Sequence, residues 1–85
     1  MIDNTLKLIE ENFDTTTPMA QGTFDAVRVI LRAAWKEKGI GGLELCNAAE
    51  HLIDQAFFGM TEGQRAICID AIKNMYFQIK DEWKS

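Results

Sequence analysis

Apolar residues return at three- and four-residue intervals along almost the whole chain, and proline occurs once, at Pro18. That spacing draws a stripe down one side of an α-helix, whereas a half-buried strand alternates at every second residue. The chain is therefore predicted to be all-α. Its interruptions predict four helices, about 2–13, 18–38, 43–58 and 62–83, arranged as two antiparallel helical hairpins in a small bundle that occupies residues 1–85 as one domain.

Each boundary has a chemical reason. Thr17 stands before Pro18, and a hydroxyl acceptor followed by a residue with no amide hydrogen suits a helix start. "KGIGG" at 38–42 is read as a stop and a flexible turn, with Gly39 left-handed and Ile40 packing back on the last turn. Gly59 followed by Met60 repeats that ending. "TEGQ" at 61–64 is a capping box, in which Thr61 and Gln64 satisfy each other's backbone amides. The expected core stripes are Ile2, Leu6, Ile9 and Phe13; then Val27, Ile30, Leu31 and Ala34; then Leu45, Ala49, Leu52, Ile53 and Ala56; and finally Cys68, Ile72, Met75 and Ile79, flanked by Tyr76 and Trp83.

The halves echo each other. "LIEENFD" at 8–14 resembles "LIDQAFF" at 52–58, and "MAQG" at 19–22 resembles "MTEG" at 60–63. Shared periodicity yields short matches of this kind without duplication. Charge alternates as well: residues 1–14 sum to −3, 25–38 to +2, 44–62 to −4 and 65–84 to +1. Antiparallel neighbours then meet opposite signs, which steers topology more than it stabilises.

Several function classes find little support. A net charge of −4 and a pI near 4.8 repel DNA and anionic membranes. No run approaches the roughly 20 apolar residues of a membrane span, and the N-terminus carries acids where a secretory signal is basic. Cys46 and Cys68 fall in helical apolar patterns with no C-x-x-C spacing, which reads as buried thiols in a cytoplasmic protein. His51 shares a helix face with Asn47 and Asp54, and Glu44 lies near it, but one histidine without a second donor helix is a poor metal site. Cys46 and His51 point about 140° apart, so they form no nucleophile–base pair. "GIGG" lacks the lysine and preceding strand of a phosphate loop. Neither a cofactor nor catalysis is implied.

For nucleic acid, "LRAAWKEKGIGGLELCNAAEHL" superficially suggests a helix-turn-helix. Its second helix would enter the major groove carrying Glu44, Glu50 and Asp54 and no basic residue. The only basic row is Arg28, Arg32 and Lys36, the alternative nucleic-acid contact. Eight acids against one lysine over residues 1–14 and 44–62, which hold helices 1 and 3, offer a further alternative, an acidic mimic of nucleic acid.

Phe58 and Phe77 escape these explanations. Phe58 falls among Asn47, His51 and Asp54, and Phe77 among Asn74, Asp81 and Lys84, each a large apolar group on a polar face. A phenylalanine that finds a partner buries on the order of 150 Å² or more. With Trp83 near the chain end, they are the candidate protein interface. The sequence therefore points to a small, acidic, non-catalytic binding module of the accessory or inhibitor kind, bacterial or phage in type. Such a module would self-associate as a homodimer through helix 4 or the 58 turn and occlude or tether a larger protein whose identity the residues do not give.

Overall fold

A computed structural model describes residues 2–56 and 60–84. It contains α1 (Ile2–Glu11), α2 (Pro18–Glu37), α3 (Gly39–Asp54) and α4 (Glu62–Lys84), with no strand among the described residues. The architecture is the small all-α bundle that the periodicity predicts. α3 packs along both α2 and α4, and α1 closes the bundle against α4 and, less extensively, α2. The molecule is 40 Å long and 20 Å across; the 23 residues of α4, about 34 Å at 1.5 Å each, run most of that length.

The core is apolar throughout, with no polar or charged residue buried among those described. Leu6, Ile9 and Phe13 enter it from the first segment, Val27, Leu31 and Ala34 from α2, and Cys68, Ile72, Met75 and Ile79 from α4, all as expected. Ile2, Ile30, Leu45 and Leu52 are only partly buried at its edge. Phe24 and Ala20 extend the α2 stripe about two turns beyond the expected one. The Phe24 ring meets Phe13 at a tilt of 56°, centroids 5.9 Å apart, and Phe13 stays in the core although α1 ends two residues before it.

Both helix starts use the predicted chemistry. The Ala20 amide donates to Thr17 Oγ1 at 3.2 Å. The Thr61 amide donates to Gln64 Oε1 at 2.9 Å while the Gln64 amide donates to Thr61 Oγ1 at 3.1 Å. Because Thr61 is exposed, its substitution removes a cap without opening a cavity. Thr61→Ala is expected to cost about 1 kcal/mol, read as a shift in the denaturant midpoint with an unchanged slope.

Two boundaries differ from expectation. "KGIGG" is not a loop: α2 stops at Glu37, Lys38 reverses the chain alone with φ 52°, and α3 begins at Gly39. Gly39 does take the left-handed conformation, with φ 66°, but Ile40 is 58% exposed and does not pack back. The reason lies in packing. A Cβ on Gly42 would stand 2.8 Å from the Ala34 carbonyl oxygen, so glycine there permits close contact between α2 and α3, and this outweighs its low helix propensity. At its other end α3 finishes at Asp54, with Ala56 N–H donating to Ile53 O in a tighter turn. The predicted stop at Gly59, with Phe57 and Phe58, lies outside the described residues. Met60 is partly buried against the core, as expected.

Candidate functional site

On α4 the inward row leaves Tyr76 half-buried on the flank beside α3 and carries Phe77 one step further out. Phe77 is 54% exposed, and its ring meets Tyr76 edge-on at 5.6 Å and 89°. The two aromatics, with Asn47, Glu50 and Lys73, line an open hollow of about 250 Å³ between α3 and α4. Phe77 therefore belongs to the α3 side of α4 rather than covering α1.

Trp83 stands at the far end of the same helix and is 51% exposed. It has an internal neighbour that the sequence did not suggest: its Cδ1 and Nε1 are 3.7 and 3.8 Å from the point a Cβ on Gly39 would occupy. Beside it the Lys38 ammonium pairs with Glu82 at 2.7 Å and sits 4.6 Å from the centre of the Trp35 ring. The end of α4 is thus tied to the reversal between α2 and α3. Trp83 lies against this reversal with about half of its surface exposed. Phe58, the third expected interface residue, lies outside the described residues.

The basic row is in place on the outer side of α2, where Arg28, Arg32 and Lys36 are all exposed. Arg28 is committed within its own helix, 3.3 Å from Asp25 and 6.0 Å from the centre of the Phe24 ring. At the chain reversal before α2, Asp14 accepts from the Thr16 hydroxyl at 2.6 Å and from its amide at 3.1 Å. These bonds hold its carboxyl below the usual carboxylate range.

His51 is exposed and 3.1 Å from the Gln55 amide nitrogen. With Asn47, Glu50, Asp54 and Ile69 it borders a shallow hollow of about 300 Å³. No group of three or more His, Cys, Asp or Glu side chains converges among the described residues. No helix among them is long and apolar enough to cross a membrane.

Cys46 and Cys68 are free and buried, and the Cys68 thiol points at the Ile9 carbonyl at 3.9 Å. Burial pushes both thiols up from 9.0 to about 11, helped at Cys46 by the Glu50 charge. A thiol that resists ionisation only when folded leaves stability intact below pH 9.0 and removes it as pH rises toward about 11. The denaturant midpoint is expected to fall across that window, and near neutral pH a disulfide reagent should label both cysteines no faster than the chain opens.

No protein-family model, curated protein or solved structure matches the chain. What it does is therefore argued from its surfaces.

Proposed function

We propose that this chain is a small, non-catalytic protein-binding module of the cytoplasm that self-associates and acts as an accessory or inhibitor protein, occluding or tethering a larger protein. The observation that carries the reading is Phe77: a phenylalanine 54% exposed on an otherwise charged helix face, held edge-on by Tyr76 above an open hollow. An exposed aromatic beside a shallow, polar-rimmed depression is how the anchor of a protein interface is commonly presented. Trp83, half-exposed beside the Gly39 turn, is a second exposed aromatic on α4, about 120° round the helix from Phe77. The free, buried cysteines fit a reducing compartment.

The reading is tested by placing a photo-reactive phenylalanine analogue at position 77 and, as control, at the exposed position 10 on α1, then irradiating cells of the source organism. Adducts with a second protein from position 77 and none from position 10 are expected. Equal labelling from both positions contradicts the reading. The competing nucleic-acid reading through Arg28, Arg32 and Lys36 predicts binding to random duplex at low salt with a steep salt slope; the protein-binding reading predicts no binding there.

A further inference from the structure

α2 has a second apolar side. Its inward row, Ala20, Phe24, Val27, Leu31 and Ala34, is buried. Almost diametrically opposite run Met19, Gly22, Ala26, Val29 and Ala33, every one exposed, with Met19 and Val29 each at 63%. The intervals are three, four, three and four, the repeat that keeps one seam facing a partner helix. The outward side of a surface helix is ordinarily polar, and apolar rows on both sides mark a helix covered from both. The seam is also unobstructed: nothing lies within 4 Å of the point a Cβ on Gly22 would occupy.

Building on the self-association just proposed, we infer that this outer face of α2 is where a second copy of the chain docks, α2 against α2 in antiparallel orientation about a two-fold axis near Ala26 and Val29. Charge and register select this occupant. With Ala26 opposite Val29 of the second copy, Gly22 meets Ala33 and Met19 meets the aliphatic stem of Lys36. In that same register Asp25 comes beside Arg32 of the second copy, and by symmetry its own Arg32 beside the other Asp25, giving two ion pairs flanking the seam. A parallel pair would set Lys36 against Lys36 and leave Asp25 facing Ile30. Arg32 makes no ion pair within the chain among the described residues; Asp25 Oδ1 already accepts from Arg28 at 3.3 Å and from Gln21 at 3.0 Å, so Arg32 of the second copy would join that cluster rather than meet an unpaired carboxylate.

The seam is about four turns of mostly small side chains, well below the roughly 1,600 Å² of a standard interface, so the dimer is weak and reversible. α3 lies between α2 and α4, so the Phe77 face stays uncovered and is presented twice, and bivalency raises avidity for a partner that offers repeated sites.

Sedimentation equilibrium on the full chain, from about 5 to 500 µM, tests this with melting curves confirming that each variant folds. Wild type should show a monomer–dimer equilibrium. Val29→Glu and Arg32→Asp, both at exposed positions, should weaken it about tenfold or more. The exchanged variant Asp25→Arg/Arg32→Asp should return to within about threefold of wild type, and Phe77→Ser should leave it unchanged. A wild type that stays monomeric throughout overturns the seam, as does a Val29→Glu variant that dimerises like wild type. An exchange that fails to restore pairing overturns the antiparallel register. Loss of the dimer in Phe77→Ser with retention in Val29→Glu moves self-association to α4 and spares the binding reading. A dimer of the expected register that yields no adducts from position 77 counts against the binding reading alone.

Discussion

Replacing Leu31 by alanine is expected to lower the stability of the chain by about 2–5 kcal/mol. Leu31 is fully buried, one of the largest such side chains, in the inward row of α2 between Val27 and Ala34. Removing its branched end subtracts the apolar area it hides and leaves a void that rigid helices on several sides cannot collapse to fill. For a chain of 85 residues, total stability is roughly 4–13 kcal/mol at 0.05–0.15 kcal/mol per residue. The loss is thus a large part of the whole, and thermal melting followed by circular dichroism should show a variant largely unfolded or melting far below wild type. A shift of a few degrees would mean that the interior is less tightly packed than described.

The second large effect is expected at Gly42. A methyl group there meets the Ala34 carbonyl oxygen at 2.8 Å and the Ile79 Cγ2 at 3.6 Å. The nearer atom belongs to a helix backbone and cannot swing aside, so α2 and α3 must separate, whereas Ile79 stays at ordinary contact distance. Gly42→Val should therefore destabilise by about 1–3 kcal/mol or more, although on helix propensity alone removing glycine from a helix should help slightly. The sign is the informative part. Chemical denaturation of the variant should show a lower midpoint; a higher one would mean that the first turn of α3 does not approach α2 as described.

Glycine 42 also shows where the sequence stopped being legible. Apolar spacing located the helices and most of the core, because burial of one face imposes a period that composition cannot disguise. The three glycines of "KGIGG" read as a flexible turn, since propensity is a local quantity and the close approach of Ala34 is not. Phe24 continues the α2 stripe, three and seven residues before Val27 and Leu31, and is buried with them. The reach of Trp83 to Gly39 depends on the length of α4 relative to α2 and α3, which no local pattern encodes.

The surfaces divide in the same way. Phe77 was legible because a single large apolar residue among Asn74, Asp81 and Lys84 contradicts the face it occupies. The outer row of α2 was not, because alanine and glycine pass as neutral helix filling and Val29 stands alone among charges until the exposure of its neighbours is known. Arg28, Arg32 and Lys36 drew attention as a possible contact for phosphates. Beside the apolar seam, Arg32 is exposed and makes no ion pair within the chain among the described residues.

The most direct test of the binding role is quantitative capture. Wild-type chain and the Phe77→Ser variant, matched in melting temperature, are immobilised and exposed to extract of the source organism, and retained proteins are quantified by mass spectrometry. The binding role predicts at least one protein held by wild type and depleted about tenfold or more by the variant, the loss expected of a central aromatic anchor. The same proteins retained in the same amounts by both would contradict it.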